Sequence, residues 1–512
     1  MSYTPAKVVA VFLAQFDVKK GYTMVWQKSQ DPHLVMEGLD YKVLPSGIHE
    51  FEKTSVVFSV EKTKHKGQFY YGVARFQQSI VDNDTSDRKN VLMYSLGVVC
   101  DPHSTQWQPN QFIEMGWEYI DVLSGAVSKF EHDRDHQELD RVYDKLTGLT
   151  LPGQNLDLAK TAVKHHMLTQ LPNFISKVGP LVFPLFKHAL LRHQILFFNN
   201  ENHQRPGNDY FSIYAYDYIL SLISVVPHDV KAVGQSVEAY YSPPLYNVGL
   251  NQEFWHVPGY IATTNDDILM YNKSASDVVV LLNGNEHASM YLSKDTTGNQ
   301  LGPVQRASRR DRSKLRRLVA CSEPAESNLS NTDDLRSIHS LMSSYDENDT
   351  ELQVVGRFPC SDKSEPAWWL LEACHPMSWR ESLWQAWSWF ASAGRGVNDG
   401  DDERGSEDGE VGCSVDFLQL VAVVGYFHGL TRRYFALINE IITEQLSSEG
   451  IDSVSQLQNK ISITVTYQDL IDMDLDPYSN DDHEFIENFV LKYFSHVVSE
   501  VEVGMVFANI CC

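Results

Sequence analysis

Residues 179–198 read GPLVFPLFKHALLRHQILFF. The stretch is apolar enough to raise a membrane span, yet Lys187, His188, Arg192 and His193 fall inside it. Each strong charge would cost about 2.5–3.5 kcal/mol at a bilayer centre, which excludes the span. Pro184 starts or kinks a helix. The spacing predicts a helix over Pro184–Arg192, with Leu185, His188, Ala189 and Arg192 at i, i+3, i+4 and i+7. Gln194–Phe198 then reads as a short strand apolar on both faces, which belongs inside a parallel or mixed sheet covered by helices. The stretch is an α-to-β joint of an α/β layer.

Around this joint the chain divides by pattern. Residues 1–150 carry short runs rich in Val, Phe and Tyr: KVVAVFLAQFD, YTMVWQ, SVVFSV, GQFYYGVARFQQ and VLMYSLGVV. They predict a small antiparallel sheet, flanked by helices such as Asp135–Leu146. Residues 155–290 alternate: helices at Leu158–Leu171 and Tyr210–Val226, strands at Tyr260–Thr264 and Asp277–Leu282. Such alternation predicts an α/β core module with helices on a largely parallel sheet. Composition marks 291–350 and the acidic 394–412 as disordered linkers. Between them, 351–393 reads as a strand plus a helix rich in tryptophan. It holds Trp368, Trp369, Trp379, Trp384, Trp387 and Trp389, with a capping box at Ser378 and Glu381. Residues 413–512 read as a mainly helical module, with a break at Gly429, a strand at Ile461–Tyr467 and a last helix at Asp481–Val497.

The chain holds 42 basic and 67 acidic residues, a net charge of −25. That field repels phosphate backbones, so no nucleic-acid partner is expected. The first residues lack a signal-peptide pattern, and Ser2 stands where N-myristoylation requires glycine. Seven cysteines without a CxxC pair read as reduced thiols, so a cytoplasmic protein is expected. The sequons at Asn83, Asn272, Asn328 and Asn348 are accordingly read as chance matches.

The chain has no phosphate-loop, G-x-G-x-x-G, H-E-x-x-H or G-x-S-x-G motif. Asp472, Asp474 and Asp476 have the spacing that opens a Ca²⁺ loop. Pro477, however, stands where glycine is needed and His483 where a bidentate Glu belongs, so the segment reads as an acidic turn before a helix. Cys360, Cys374, His375, His165 and His166 match no structural zinc spacing. No metal and no cofactor is expected. Cys511 and Cys512 could accept prenyl groups, but VGMVFANI before them lacks basic companions, and the pair is read as an incidental tail. The basic cluster Arg306–Arg317 reads as a solvated loop or as a lipid-touching segment, with Ser308 and Ser313 as candidate regulatory phosphorylation sites.

Several strings together resemble the DENN-domain proteins, in particular an LCHN-like branch with fungal relatives. They are VVAVFLAQFDVKKGYTMVW (8–26), EGLDYKVLPSGIHE (37–50), FYYGVARF (69–76), VLMYSLGV (91–98), residues 179–198, YAYDYILSLISVVP (214–227), SPPLYNVGLNQ (242–252) and WSWFASAG (387–394). The resemblance implies a longin-like upstream module, an α/β three-layer core module and a helical downstream module. It implies guanine nucleotide exchange on a Rab-type small GTPase in vesicle trafficking, without covalent or metal chemistry, at a peripheral site on endomembranes. A non-catalytic GTPase-binding scaffold is the alternative. The candidate GTPase contacts are Asp17, Arg75, Lys187, Arg192 and Asp217. For Lys187 and Arg192 a purely structural role stands beside the contact role, and Arg75 and Asp217 have internal pairing as their alternative.

Overall fold

The apolar runs of the first hundred residues all become strands: β1 (Lys7–Asp17), β2 (Gly21–Ser29), β3 (Lys53–Glu61), β4 (Phe69–Ile80) and β5 (Val91–Asp101). They form one antiparallel sheet in the order β2-β1-β5-β4-β3. In this computed structural model the described residues are 5–504, apart from 46–51, 64–67, 81–90, 102–114, 149–154, 200–209, 238–241, 249–258, 283–286, 294–300, 321–365, 377–416, 452–456 and positions 228, 247, 273 and 458. A short helix, α1 (Leu39–Val43), borders β3. Helices α2 (Ile120–Asp133) and α3 (His136–Thr147) pack across the sheet. Asp135 caps α3 by accepting from the Gln137 amide at 2.9 Å.

The second block alternates as its pattern predicts. Helix α4 (Asn155–His165) ends at His166, whose Nδ1 accepts from the Leu168 amide at 2.9 Å. The continuous helix expected over Leu158–Leu171 is therefore broken by a side-chain cap. Helices α5 (Leu171–Val178) and α6 (Val182–Leu190) follow, then β6 (Ile195–Asn199) and α7 (Tyr210–Ile223). The small pair β7 (Lys231–Ala232) and β8 (Gln235–Ser236) precedes β9 (Pro244–Leu245), β10 (Ile261–Thr264), α8 (Asp267–Met270), β11 (Val278–Leu282), β12 (Ser289–Leu292) and β13 (Val304–Gln305). The second sheet has the order β13-β12-β11-β6-β10-β9. Its β6 lies between β10 and β11 and is parallel to both, which explains why ILFF is apolar on both faces. Helix α7 packs against β10 of this sheet and also against β3 of the first, so it joins the two sheets.

Two expectations need correction. Part of the expected linker is helical: residues 309–320 form helix α9. Its composition is basic, but Asp311, Lys314 and Leu315 fall on one inward face and are buried. Net composition hid that face. The second correction concerns Gly429. A single helix, α11 (Phe417–Ser448), runs straight through it. An interior glycine costs a helix about 1 kcal/mol. Burying large side chains such as Phe427, Leu430 and Tyr434, at about 1.5–3 kcal/mol each, outweighs it.

Between these lies α10 (Ala367–Leu371). Its Trp369 is buried, and Trp368 stacks on His287 with ring centroids 4.4 Å apart. Gly179, with φ +52°, admits this helix, because a Cβ there would stand 2.5 Å from Trp368 Cη2 and 2.8 Å from Trp369 Nε1. Trp379, Trp384, Trp387, Trp389 and the Ser378–Glu381 box lie outside the described residues, as do Cys360, Cys511 and Cys512. The chain closes with β14 (Ile461–Thr466), α12 (Tyr467–Asp472), α13 (Asn480–Tyr493) and β15 (Val498–Gly504), the two strands pairing in parallel. Among the described residues no helix is long and apolar enough to cross a membrane.

Candidate functional site

Helix α6 buries nearly its whole surface, and Lys187 goes in with it at 5% exposure. A buried ammonium needs counter-charges. Lys187 Nζ donates to Asp311 Oδ2 at 2.9 Å and to Asp482 Oδ1 at 2.5 Å. Lys314 completes the group: its Nζ lies 2.8 Å from Asp311 Oδ1, donates to the Asp474 carbonyl at 2.9 Å and sits 4.4 Å from the Phe183 ring centre. Two ammonium groups and two carboxylates thus balance in a buried site. Burial pushes the Asp311 carboxyl up, but Lys187 and Lys314 pull it further down, to about 2. Burial opposes the charge on Lys187, and Asp311 and Asp482 more than restore it, so its pKa lies above the ordinary lysine value.

Both aspartates arrive by the same local device. Ser308 caps α9: its Oγ accepts from the Asp311 amide at 3.1 Å, while Asp311 Oδ2 accepts from the Ser308 amide at 3.3 Å. Ser479 caps α13 by accepting from the Asp482 amide at 3.3 Å, and Asp482 Oδ2 accepts from the Asp476 amide at 2.7 Å. Each aspartate is the third residue of its helix, where a carboxylate also offsets the helix dipole. Two helix starts, from segments far apart in sequence, therefore converge on one lysine of α6.

A cleft opens over the cluster, lined by Pro184, His188, Leu191, His193, Arg306 and Asp481 among others. His188 Nδ1 lies 2.8 Å from His193 Nδ1, so one ring donates and the other accepts. Burial, reinforced by His193, lowers the His188 pKa to about 3. Asp481 accepts from Gln305 Nε2 at 2.6 Å and lies 2.9 Å from His375 Nε2. Beside Lys314 on α9, Arg310 Nε donates to Asp474 Oδ1 at 3.1 Å, and Arg317 Nη2 lies 3.7 Å from the same oxygen. Asp474 adopts φ 61°. The aspartate turn that resembled a Ca²⁺ loop is thus clamped by basic side chains of α9.

The contact residues expected from sequence stand on separate elements, and two of them, Lys187 and Asp217, are buried. Lys187 is buried in the cluster, with its charge met by Asp311 and Asp482. Asp217 on α7 is fully buried. Burial raises its pKa well above the carboxylate range, against the opposing hydrogen bonds of Thr263. Asp17 closes β1, accepting from the Lys19 and Lys20 amides at 2.8 and 2.9 Å, which hold its carboxyl below the usual value. Arg75 on β4 is half-buried, with Nη1 donating to Ser55 Oγ at 3.2 Å. Arg192 is half-buried at the end of α6, with φ 57° and its amide donating to the Ala189 carbonyl at 2.9 Å. Ser308 is buried at 5% exposure, while Ser313 is exposed.

Among the described residues no group of three or more His, Cys, Asp or Glu is arranged to hold a metal. Cys374 is buried and bridged to Ala307, His375 faces Asp481, His165 lies 2.9 Å from Asp121, and His166 packs against Trp117. Sequence reading missed Asp311, Lys314 and Asp482, and took Asp474 only as part of an acidic turn. The repeated S-x-x-D at Ser308 and Ser479 was the available signal, since it marks two helix starts with a carboxylate at the third position.

Comparison with known proteins places these parts. Residues 11–291, more than half of the chain, match the DENN domain-containing protein 11 family. Residues 414–511 match a domain of unknown function, DUF4484. Helix α9 lies in neither match and ties one to the other through Lys187, Asp482 and Asp474. The chain is 25% identical over 540 residues to the uncharacterized protein ANR2 of Saccharomyces cerevisiae, covering 98% of this chain and 94% of that one. It is 23% identical over 319 residues to DENN domain-containing protein 11 of Danio rerio, covering 61% of this chain and 59% of that one. With the Xenopus laevis protein of the same name it shares 24% identity over 205 residues, 38% of this chain and 43% of that one. The chain belongs to the DENN domain-containing protein 11 family.

Proposed function

We propose that this chain is a guanine nucleotide exchange factor for a Rab-type small GTPase in vesicle trafficking. The observation that carries the reading is the family match over residues 11–291, which covers most of both sheets, all of the second except its edge strand β13 and the end of β12, and the α7 helix between them. DENN proteins typically act on Rab GTPases. Within this reading the five-stranded sheet is the longin-like upstream module and the six-stranded sheet is the core of the central module. The segment 413–512 is the downstream module. An exchanger needs no nucleophile of its own. It binds the nucleotide-free GTPase more tightly than the GDP-bound form and so shifts the population toward release. Asp17, Arg75 and Arg192 keep accessible surface and are the contacts we assign to the GTPase. The protein acts in the cytoplasm, peripherally at an endomembrane. The test is release of fluorescent GDP from a panel of Rab proteins with and without the full chain. Faster release that saturates with added chain supports exchange. Saturable binding without faster release leaves a non-catalytic scaffold, and no binding to any Rab removes both readings.

A further inference from the structure

We infer that Ser313 is a phosphorylation site whose phosphate draws Arg310 and Arg317 from Asp474 and loosens α9 from the turn between α12 and α13. The inference is independent of the exchange activity. Of the two serines in the basic segment, Ser308 is buried as the α9 cap, and a phosphate there would have to enter beside the Asp311 carboxylate. Ser313 is exposed, with its Oγ donating only along its own helix, to the Arg309 carbonyl at 3.1 Å. Arg309 and Arg310 stand four and three residues before it, the charge pattern that an arginine-directed protein kinase selects.

The step is ordinary phosphoryl transfer from ATP held by such a kinase. The Ser313 oxygen bonds to the γ-phosphorus, the bond to the β–γ bridging oxygen breaks, ADP leaves, and the hydroxyl proton passes to the kinase base. A kinase takes an extended segment, so α9 opens locally first. A helix of 12 residues is marginal by itself and relies on its docking.

The consequence follows from helical spacing. Residues three and four apart are neighbours on a helix, so Arg310 at i−3 and Arg317 at i+4 both reach a phosphate on Ser313. That group carries about −1.5 to −2 charge and three acceptor oxygens, against a single carboxylate on Asp474. The present pairing is open to competition, because the Arg310 and Arg317 side chains are 30% and 40% exposed. The Lys187–Asp311–Asp482 cluster lies on the inner face and keeps its partners. Asp474, already at φ 61°, loses the cations that hold its carboxylate, and the turn it forms relaxes.

The experiment incubates the full chain with ATP and an arginine-directed serine kinase, maps the site by tandem mass spectrometry, and follows hydrogen exchange. Expected are phosphate on Ser313, no incorporation there in S313A, and amides of residues 470–482 exchanging roughly tenfold faster, the size of one lost charge-assisted hydrogen bond. D474N without phosphate should accelerate the same amides. Two results would overturn the inference. One is no phosphate at Ser313 of the folded chain when a peptide of residues 306–317 is readily phosphorylated. The other is full phosphorylation with unchanged exchange in 470–482.

Discussion

Lys187 and Asp482 are 295 residues apart in sequence and 2.5 Å apart in space, both nearly sealed from solvent. With Asp311 they tie helices α6, α9 and α13 into one joint. A buried pair of this kind contributes little net stability relative to a well-packed apolar replacement, but removing one partner strands the other as an uncompensated charge.

K187A is therefore expected to destabilise the chain by about 3–5 kcal/mol, measured by urea denaturation. K187M combined with D482N should recover most of that loss, because the remaining Lys314–Asp311 pair is balanced and no buried charge is left alone. A double variant no more stable than K187A would show that the cluster is not the cause.

Asp311 sets an acid limit. Its folded pKa of about 2 lies below the ordinary 3.8. The stability it contributes is thus present above about pH 4 and lost as pH falls from there toward 2. D311N should flatten the pH dependence of unfolding in that window. An unchanged acid profile in D311N would reject the assignment.

Asp217 works in the opposite sense. Its folded pKa is raised by burial, so the native state holds a proton that the unfolded chain releases once pH exceeds the ordinary value of 3.8. Its contribution therefore becomes increasingly unfavourable as pH rises above that value until the folded pKa is reached. D217N keeps an acceptor for Thr263 and should melt higher than the parent at pH 8, with the gap closing toward pH 4. A D217N that melts lower than the parent at pH 8 would mean the carboxylate is held ionised.

Gly179 admits the tryptophans of α10. G179A places a methyl group against Trp368 and Trp369 and forces a left-handed backbone on a residue with a Cβ. The expected cost is about 1–3 kcal/mol, with faster hydrogen exchange in residues 366–375. Unchanged exchange there would show that α10 does not depend on this close approach.

Much of the architecture was legible from residues alone, for a stated reason in each case. Strands β1 to β5 announce themselves because short β-branched and aromatic runs between turns have few other ways to bury themselves. The buried strand β6 is read correctly because a run apolar on both sides has to lie inside a sheet. Gly429 was misread because local propensity is a cost of about 1 kcal/mol, and the burial that outweighs it comes from distant parts of the chain. Helix α9 was misread because its charges count as solvent-facing until their partners are known.

Residues 179–198 alone determined that this chain is not membrane-spanning at that point and that a helix there leads into a covered strand. Charge and periodicity are local properties, and they suffice for both conclusions. Only the tertiary structure decided what Lys187 does. Its partners, Asp311 and Asp482, are 124 and 295 residues away, and an ammonium group reads as a surface contact until the fold brings two helix starts onto it and excludes water.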